Sequence, residues 1–509
     1  MTAYSFPSVQ RDALILIVGL GETGVAAARW CARHGARLRI VDTRVEPRGL
    51  DALKSAIDIA RVEFRLGPDA LTETALEGVD MLVLSPGLSP LDEPVRALLD
   101  CARRADLDIT GEIELFARAL NDMATQGYAP QVLAVTGTNG KTTVTAMACR
   151  LAMASGYTAV AAGNIGPAAL AALETALDAD SLPDVWVIEL SSFQLFTTSS
   201  LNAAAAVVLN VSPDHLDWHG SMDAYVQAKA GLFGQARIKV VNRDDPVVRG
   251  MVAMLEAPDV RSFGGDAPRY AGDLGLEPDQ DIAWICAVDD GDPHHVSPSG
   301  RRGAATPSLQ RAGGSPLRLM PAEAMRVRGG HNVLNAQAAM ILVAALGAGW
   351  APMLHALHDY RGEPHRMEFV RTTGGVDFIN DSKGTNVGAT VAALHGLQQT
   401  VVLIAGGLAK GQDFAALARA ATGRVRSAVL LGRDAGAIAA ALDTVAVPSV
   451  MADSMRDAVT KAFHAAQPGD VVLLSPACAS MDMFESYGHR GRCFIDEVTE
   501  LALDQGEVA

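Results

Sequence analysis

The sequence predicts an α/β protein with mostly parallel sheets, divided into three domains. Short apolar runs recur along the chain, and many end in Gly, Ser, Thr or Asn just before a helical pattern begins. Parallel strands joined by crossover helices produce this rhythm. The 509 residues are too many for one ordinary domain. Aromatic residues make up only 5% and small residues are plentiful, so helices can pack closely against sheets.

The predicted strands form three groups along the chain. The first group contains Leu14–Val18, Leu38–Val41 and Met81–Leu84. The second group contains Val132–Val135, Val185–Glu189, Val207–Val211 and Ile238–Val241. The third group follows a helical pattern from His331 to Leu346 and contains Val376–Asn380, Val401–Ala405, Ala428–Leu431 and Val471–Leu474. Turn signals near Gly111 and Gly362 separate the groups, so we expect domains at residues 1–111, 112–362 and 363–509.

Residues 264–320 do not follow this alternation of strands and helices. They are rich in Gly, Pro, Asp and Arg and contain one strand-like run at Ile282–Val288, which predicts an insertion with large loops. The acidic and histidine residues of the insertion fit a solvated acidic loop better than a metal cluster; they are Asp289, Asp290, His294 and His295.

Charge and cysteine usage exclude several classes of protein. The net charge of -16 disfavours a nucleic-acid binder, because a uniformly acidic surface repels phosphate backbones. The six cysteines are scattered, which indicates core thiols in a reducing compartment. Neither a secretory leader nor an apolar stretch long enough for a bilayer is recognisable. We therefore expect a cytoplasmic protein without stable membrane insertion.

The strongest motif is a phosphate-binding loop that follows the strand ending at Val135. It runs Thr136-Gly137-Thr138-Asn139-Gly140-Lys141-Thr142-Thr143 and opens a helix. Glycines allow backbone N–H groups to surround phosphates, and the helix start adds positive potential. Lys141 would reach the β- and γ-phosphates, and the Thr142 hydroxyl would bind Mg²⁺. The general pattern has glycine where Val135 stands, so the loop is a variant.

A second glycine-rich turn, Gly19–Gly24, follows the first strand, and Asp42 ends the next strand. This spacing is typical of dinucleotide-binding turns and favours a nicotinamide oxidoreductase as one alternative. The same turn can hold any diphosphate nucleotide, so it does not distinguish a nicotinamide cofactor from other nucleotides.

Further polar residues follow strands of the second group. Glu189 ends one strand, and His215 comes just after the strand predicted to end at Val211. Ligands bind at the carboxyl ends of parallel strands, so both can lie near the phosphate loop as Mg²⁺ or Mn²⁺ ligands. For His215 a loop hydrogen bond or a helix cap is an equal alternative. Composition alone makes Lys229 a surface lysine.

Taken together, the motifs resemble the Mur ligase family. They occur in order over nearly the whole chain: TGTNGKTT, GNIG at Gly163–Gly166, ELSSFQL at Glu189–Leu195, SPDHLDWHG at Ser212–Gly220, HNVLNAQAA at His331–Ala339, PHRMEFV at Pro364–Val370, NDSKGTN at Asn380–Asn386 and SPACASMDMF at Ser475–Phe484. The resemblance implies a Rossmann-like N-terminal domain for a UDP-sugar, a central phosphate-loop ATPase domain and a Rossmann-like C-terminal domain for an amino acid.

The resemblance also implies roles for single residues. The UDP-substrate contacts would be Thr23, Thr43, Arg44, Gly87, Asn164 and His215. The metal ligands would be Thr142, Glu189, His215 and Lys229, the last as a carbamate. ATP would contact Gly137–Thr143, Asn332, Asn335, Arg366 and Asp381. D-Glutamate would contact Thr385, Lys410, Ser480 and Tyr487, where the family more often has Phe at the last position. The catalytic residues would be Lys141, His215, Lys229 and Lys383.

The third domain points to the members of the family that add D-glutamate. The implied reaction uses ATP and two Mg²⁺ ions, which Mn²⁺ can replace, and joins D-glutamate to UDP-N-acetylmuramoyl-L-alanine through an acyl-phosphate. We expect a monomer without a nucleic-acid partner. The alternatives are the nicotinamide oxidoreductase, which leaves Gly137–Thr143 unexplained, and a nucleotide-dependent switch without turnover.

Overall fold

The computed structural model describes residues 4–280, 282–288, 310–327, 329–409 and 412–507. Lys410 and the four insertion residues Asp289, Asp290, His294 and His295 lie outside the described residues. The chain forms two compact units: Met1–Met320 with Ala336–Leu357, and Pro321–Asn335 with His358–Ala509. The predicted domain ranges 1–111, 112–362 and 363–509 remain a prediction.

The first sheet of the first unit is parallel and has the order β3-β2-β1-β4-β5. Its elements are β1 (Leu14–Val18), α1 (Glu22–Arg33), β2 (Arg37–Asp42), α2 (Leu50–Ala56), β3 (Val62–Leu66), β4 (Met81–Leu84), α3 (Val95–Arg104) and β5 (Asp108–Thr110). Every residue of β1 is buried, as expected for a strand covered on both faces. The chain order reverses beside β1, so the turns after β1 and β4 flank a crevice at the carboxyl ends of these strands.

The second sheet is also parallel and has the order β11-β10-β9-β6-β8-β7. Its elements are α4 (Glu112–Ala124), β6 (Gln131–Thr136), α5 (Lys141–Ala154), β7 (Ala159–Gly163), α6 (Ala169–Asp178), β8 (Val185–Glu189), α7 (Ser192–Leu195), β9 (Ala203–Val208), α8 (Leu216–His219), α9 (Met222–Ala230), β10 (Ala236–Asn242), α10 (Pro246–Arg249) and β11 (Val260–Phe263). Helices α1, α4 and α6 share one apolar core that joins the two sheets.

The predicted bounds Val207–Val211 were wrong, because β9 runs over Ala203–Val208. Its first four residues are alanines, which carry no strand signal in the sequence. They fit here because β9 lies between β6 and β10 and is buried throughout. A loop of several residues therefore separates His215 from the end of β9 at Val208.

The insertion forms a small sheet of its own, in the order β12-β13-β14. Its strands are β12 (Leu274–Asp279), β13 (Ile282–Val288) and β14 (Pro316–Pro321), and helices α11 (Gly330–Ala344) and α12 (Trp350–Asp359) follow. The strand predicted at Ile282–Val288 is confirmed. Arg311 and Asp273 make a buried ion pair of 2.8 Å, and the Arg311 guanidinium also donates to the carbonyls of Ala271 and Leu255.

The second unit contains one mixed sheet. Its elements are β15 (Glu368–Thr373), β16 (Val376–Asn380), α13 (Val387–Gly396), β17 (Val401–Ala405), α14 (Ala415–Ala421), β18 (Val425–Leu430), α15 (Ala435–Asp443), β19 (Ser449–Met451), α16 (Met455–Ala465), β20 (Val471–Leu474) and α17 (Tyr487–Asp504). The order is β15-β16-β20-β17-β18-β19, and β15 is antiparallel to its neighbour while the other pairs are parallel. Apolar cores cover both faces. Among the described helices, none combines the length and apolar character needed to cross a membrane.

Candidate functional site

The turn between β6 and α5 has the backbone of a phosphate-binding loop. Gly140 precedes α5 with φ 85°, and Gly137 has φ 157°. The Lys141 ammonium donates to the carbonyls of Gly137 and Thr138, at 2.9 and 3.0 Å. Thr142 and Thr143, in the first turn of α5, are buried. The structure therefore brings the predicted ATP residues from Gly137 to Thr143 together at the amino end of one helix.

The loop is held by residues that sequence reasoning did not select. Asn139 donates its backbone N–H to Asn210 Oδ1 at 2.8 Å and accepts from Asn210 Nδ2 at 3.1 Å. The hydroxyls of Thr138 and Tyr225 lie 2.9 Å apart. Asn210 and Tyr225 belong to segments that the sequence places far from the loop, so only the fold reveals their contacts.

Lys229 is buried, and the surface position suggested by composition was wrong. Its ammonium donates to the Gly137 carbonyl at 2.9 Å and lies 4.7 Å from the Tyr225 ring centre. Burial lowers the pKa of Lys229 well below its ordinary value, and the charge of Lys141 lowers it further, while Asp214 raises it. A buried lysine with a low pKa beside a phosphate loop is a candidate for chemistry rather than for surface charge.

Glu189 ends β8 directly beside the phosphate loop, because it pairs in register with Val135. Its Oε1 accepts from Asn164 Nδ2 at 2.7 Å. Its Oε2 is buried and has no hydrogen-bond partner among the described residues. A buried carboxylate oxygen without a donor suits a hard cation such as Mg²⁺.

His215 precedes α8 with φ 54°, and its Nε2 lies 3.5 Å from the Asp214 carboxylate. Burial, and then the charges of Lys229 and His215, lower the pKa of the neighbouring His219 to about 4. No group of three or more His, Cys, Asp or Glu side chains forms a cation site within the described part of the chain.

A separate pocket of about 280 Å³ lies at the carboxyl ends of β1 and β4. It brings together four predicted UDP-substrate residues, Thr23, Thr43, Arg44 and Gly87. The other two predicted residues of this set, Asn164 and His215, lie beside the phosphate loop instead. The segment after β4 contacts α8, because Ser89 donates to the Trp218 carbonyl at 3.2 Å.

Asp42, which lines this pocket, forms an ion pair and hydrogen bonds with neighbouring residues. Its carboxylate accepts the Arg44 guanidinium at 2.6 and 2.8 Å and the Leu20 N–H at 2.8 Å. Burial acts to raise the pKa of Asp42, but the hydrogen bonds from Arg44 and Leu20 outweigh it and leave the pKa below its ordinary value. The carboxylate that a nicotinamide cofactor would use for its ribose is thus committed to Arg44, which counts against the oxidoreductase.

In the second unit, the predicted nucleotide residue Asp381 lies at the carboxyl ends of β16 and β20. Asp381 accepts from the Ser475 hydroxyl at 2.7 Å and from the Met367 N–H at 3.3 Å. Burial raises the pKa of Asp381 to about 6, although Ser475 and the charge of Arg366 oppose this. Asn335 donates to Asn332 at 3.3 Å near the start of α11.

The described residues that we expect to contact D-glutamate lie on loops near the same carboxyl ends of the strands of the second unit. Lys383 lies 5.1 Å from the ring centre of Tyr487, and the Thr385 N–H donates to the Lys383 carbonyl at 2.9 Å. Ser480 is buried on the loop after β20. Lys410 lies outside the described residues.

Three family models match consecutive parts of the chain. They are the Mur ligase MurD-like, N-terminal domain at residues 13–110, the Mur ligase middle domain at 135–292 and the Mur ligase, glutamate ligase domain at 365–478. The chain belongs to the Mur ligase family. Its α/β architecture is the three-domain architecture of that family, with mostly parallel sheets in the N-terminal and central domains.

Similar proteins cover the chain almost completely. The UDP-N-acetylmuramoylalanine--D-glutamate ligase of Bordetella bronchiseptica is 58% identical over 97% of this chain and 98% of its own. The protein of the same name from Ralstonia nicotianae is 51% identical over the same shares. Among solved structures, MurF ligase from Thermotoga maritima in complex with ADP has a TM-score of 0.57 at 14% identity, covering 98% of this chain and 99% of that one. UDP-N-acetylmuramate-alanine ligase MurC from Thermotoga maritima has a TM-score of 0.53 at 17% sequence identity, and the match covers 96% of this chain and 99% of that one.

Two residues that no sequence motif singles out, Arg490 and Gly384, lie in close contact with the loops at the carboxyl ends of the strands in the second unit. Arg490 is buried in α17 and donates to the carbonyls of Ser382, Cys478 and Gly406, at 2.8, 3.2 and 3.4 Å. It thereby ties together the loops after β16, β20 and β17. Gly384 admits no side chain, since a Cβ there would lie 2.6 Å from Asp381 Oδ2. No motif reports either contact, because the partners are distant in sequence.

Proposed function

We propose that this chain is an ATP-dependent ligase that joins D-glutamate to UDP-N-acetylmuramoyl-L-alanine in peptidoglycan precursor synthesis. The observation that carries the proposal is the phosphate loop with buried Lys229 and the unpartnered Glu189 oxygen beside it. The names of the relatives that share 58% and 51% of its sequence support the same substrates. We also propose that it acts as a monomer in the cytoplasm, in keeping with its six free cysteines.

The reaction we propose has two steps. The carboxylate of UDP-N-acetylmuramoyl-L-alanine attacks the γ-phosphorus of ATP, which forms an acyl-phosphate and releases ADP. The amine of D-glutamate then attacks the acyl carbon, phosphate leaves, and the amine loses a proton as the amide forms. No protein nucleophile is needed, so the side chains position the reactants and stabilise charge.

Lys141 is proposed to neutralise the phosphates. Its ammonium donates to two carbonyls of the loop itself, at 2.9 and 3.0 Å. Phosphate oxygens are stronger acceptors for an ammonium than carbonyls are, so ATP would draw the side chain outwards. In the second unit Lys383 is proposed to contribute a further positive charge.

The residues around Glu189 fit Mg²⁺, with two ions proposed and Mn²⁺ as a substitute. Thr142, Glu189, His215 and Lys229 as a carbamate would hold the ions, which neutralise charge on the transferring phosphoryl group when bound. The low pKa of Lys229 supports its modification, because only a neutral amine attacks CO₂. A carbon–nitrogen bond forms, the nitrogen loses a proton, and the resulting carbamate is an anion that suits a cation ligand.

Substrate contacts are proposed from the resemblance and from the positions of the residues. The pocket of Thr23, Thr43, Arg44 and Gly87 would hold the uridine diphosphate, and Asn164 and His215 the distal end of the substrate. The nucleotide would contact Asn332, Asn335, Arg366 and Asp381. D-Glutamate would contact Thr385, Lys410, Ser480 and Tyr487.

The deciding experiment measures phosphate release from ATP and Mg²⁺. We expect release only when UDP-N-acetylmuramoyl-L-alanine and D-glutamate are both present, and no release with L-glutamate. A Lys141→Ala variant should lose turnover with an unchanged circular dichroism spectrum. Release that responds to a different amino acid would overturn the specificity, and ATP binding without any release would favour the nucleotide-dependent switch.

A further inference from the structure

Glu112 is a buried carboxylate that the proposed reaction does not use. It is the first residue of α4 and is 3% exposed. Its Oε1 accepts the backbone N–H of Leu170 at 2.6 Å, and the Ala169 N–H contributes to the same carboxylate. Its Oε2 is buried without a hydrogen-bond partner among the described residues. Glu112 therefore binds the amino end of α6 from the neighbouring helix.

A carboxylate is an unusual choice for this buried position. It lies among the apolar residues of the core that α1, α4 and α6 share. Burial raises the pKa of Glu112 to about 7, and the charge of Glu22 raises it further against the two backbone N–H groups. An ionised carboxylate costs free energy in such a place, and the two N–H groups offset this cost only in part, since Oε2 has no partner among the described residues. The residue is thus a candidate for a role in function.

The helix that Glu112 holds carries a substrate segment at its start. Helix α6 begins at Ala169, directly after residues 163–168. In that segment the Asn164 backbone N–H donates to the Glu189 carbonyl at 2.8 Å, and its side chain donates to Glu189 Oε1 at 2.7 Å. The segment is compact, because the Gly163 N–H donates to the Pro167 carbonyl at 2.9 Å. A shift of the start of α6 would therefore move Asn164.

Glu112 also lies close enough to Glu22 for the charge of Glu22 to act on it. Glu22 begins α1 next to Thr23, which lines that pocket. A Cβ on Gly166 would lie 3.8 Å from Glu22 Oε1, so the segment 163–168 meets the turn after β1 at this point. Glu112 thus stands where the two segments proposed to hold opposite ends of the substrate come together.

We propose that Glu112 is a positioning residue for the UDP-linked substrate, which fixes the start of α6 and through it the segment that carries Asn164. This inference rests on the proposed function for the identity of the substrate. It assigns Glu112 no contact with substrate and no part in proton transfer.

Three variants test the proposal. Glu112→Ala removes the acceptor, whereas Glu112→Gln keeps an oxygen for the Leu170 N–H. Glu114→Ala is the matched control, because Glu114 is buried in the same helix and accepts from the N–H groups of Ser199 and Ser200 at 2.8 and 3.0 Å, away from α6. The measurements are the KM values of all three substrates, kcat and the melting temperature.

For Glu112→Ala we expect the KM of UDP-N-acetylmuramoyl-L-alanine to rise about tenfold, the factor that matches the loss of one charge-assisted hydrogen bond. The KM values of ATP and D-glutamate should stay within about twofold of the wild-type values. In Glu112→Gln the KM of UDP-N-acetylmuramoyl-L-alanine should also stay within about twofold of wild type. Glu114→Ala should lower the melting temperature without changing any KM. An unchanged KM in Glu112→Ala, or an equal rise for ATP, would overturn the proposal.

Failure of the proposed function can be told apart from failure of this inference. Wild-type protein without D-glutamate-dependent phosphate release would contradict the function. In that case calorimetric titration with UDP-N-acetylmuramoyl-L-alanine still tests Glu112: tighter binding by wild type and Glu112→Gln than by Glu112→Ala supports the positioning role, and equal binding refutes it.

Discussion

Replacing Arg490 by methionine should loosen the second unit at the carboxyl ends of its central strands. The guanidinium donates to the carbonyls of Ser382, Gly406 and Cys478, and the side chain is 1% exposed. Methionine keeps most of the volume but leaves the three carbonyl oxygens without this donor. At about 1 kcal/mol for each buried acceptor, the opening free energy should fall by roughly 3 kcal/mol.

Hydrogen exchange followed by mass spectrometry can measure this loss. Amides of β16 and β20 should exchange roughly 100-fold faster in Arg490→Met than in wild type, because 1.4 kcal/mol corresponds to a factor of ten. Arg426→Met is the matched control, since Arg426 pairs with Asp470 near the surface at 2.6 Å, and its removal should accelerate exchange by less than about tenfold. Equal protection in the two variants would refute the assignment of Arg490 as the tie between the loops.

Three further perturbations have defined outcomes. Lys229→Met should lower turnover by about 100-fold or more, and wild-type rates should fall in CO₂-free buffer and recover with bicarbonate; rates indifferent to bicarbonate would exclude the carbamate. Because the folded state raises the pKa of Glu112 from 4.5 to about 7, wild type should lose stability relative to Glu112→Gln as the pH rises from 4.5 to about 7, by roughly 3 kcal/mol in total, with no further loss above that range; melting temperatures with the same pH dependence in the two proteins would contradict this. Gly384→Ala should raise the KM of ATP, because its Cβ would lie 2.6 Å from Asp381 Oδ2, whereas Gly436→Ala, with open space around it, should not.

The sequence was sufficient for most of the fold because the strands are apolar runs bounded by turn residues. The strands at Leu14–Val18, Val185–Glu189 and Val401–Ala405 have the predicted bounds, because the polarity changes sharply at their ends. The strand Ala203–Val208 was misplaced because a run of alanines has no strand signal. Propensity fails there because burial in the centre of a sheet decides the conformation.

The local motifs predicted the site best where one segment carries the whole motif. The phosphate loop is such a segment, and its residues from Gly137 to Thr143 lie together at the start of α5. Lys229 could not be placed by composition, because nothing local shows which face of α9 meets the loop. Arg490 and Gly384 act through loops after three different strands, so their contacts exist only in the folded chain.

The buried pair of Arg311 and Asp273 has a consequence for protein engineering. The chain leaves the small sheet after Val288, whose N–H donates to the Asp273 carbonyl at 3.1 Å, and Arg311 bonds to the same aspartate on its return. Val288 and Arg311 are thus both bonded to one residue of the fold, Asp273. The entropy of closing a loop changes by only about 0.6 kcal/mol for each doubling of its length. A chain with a short Gly-Ser bridge between Val288 and Gln310 should therefore keep the pairing of Arg311 with Asp273 and nearly the same melting temperature.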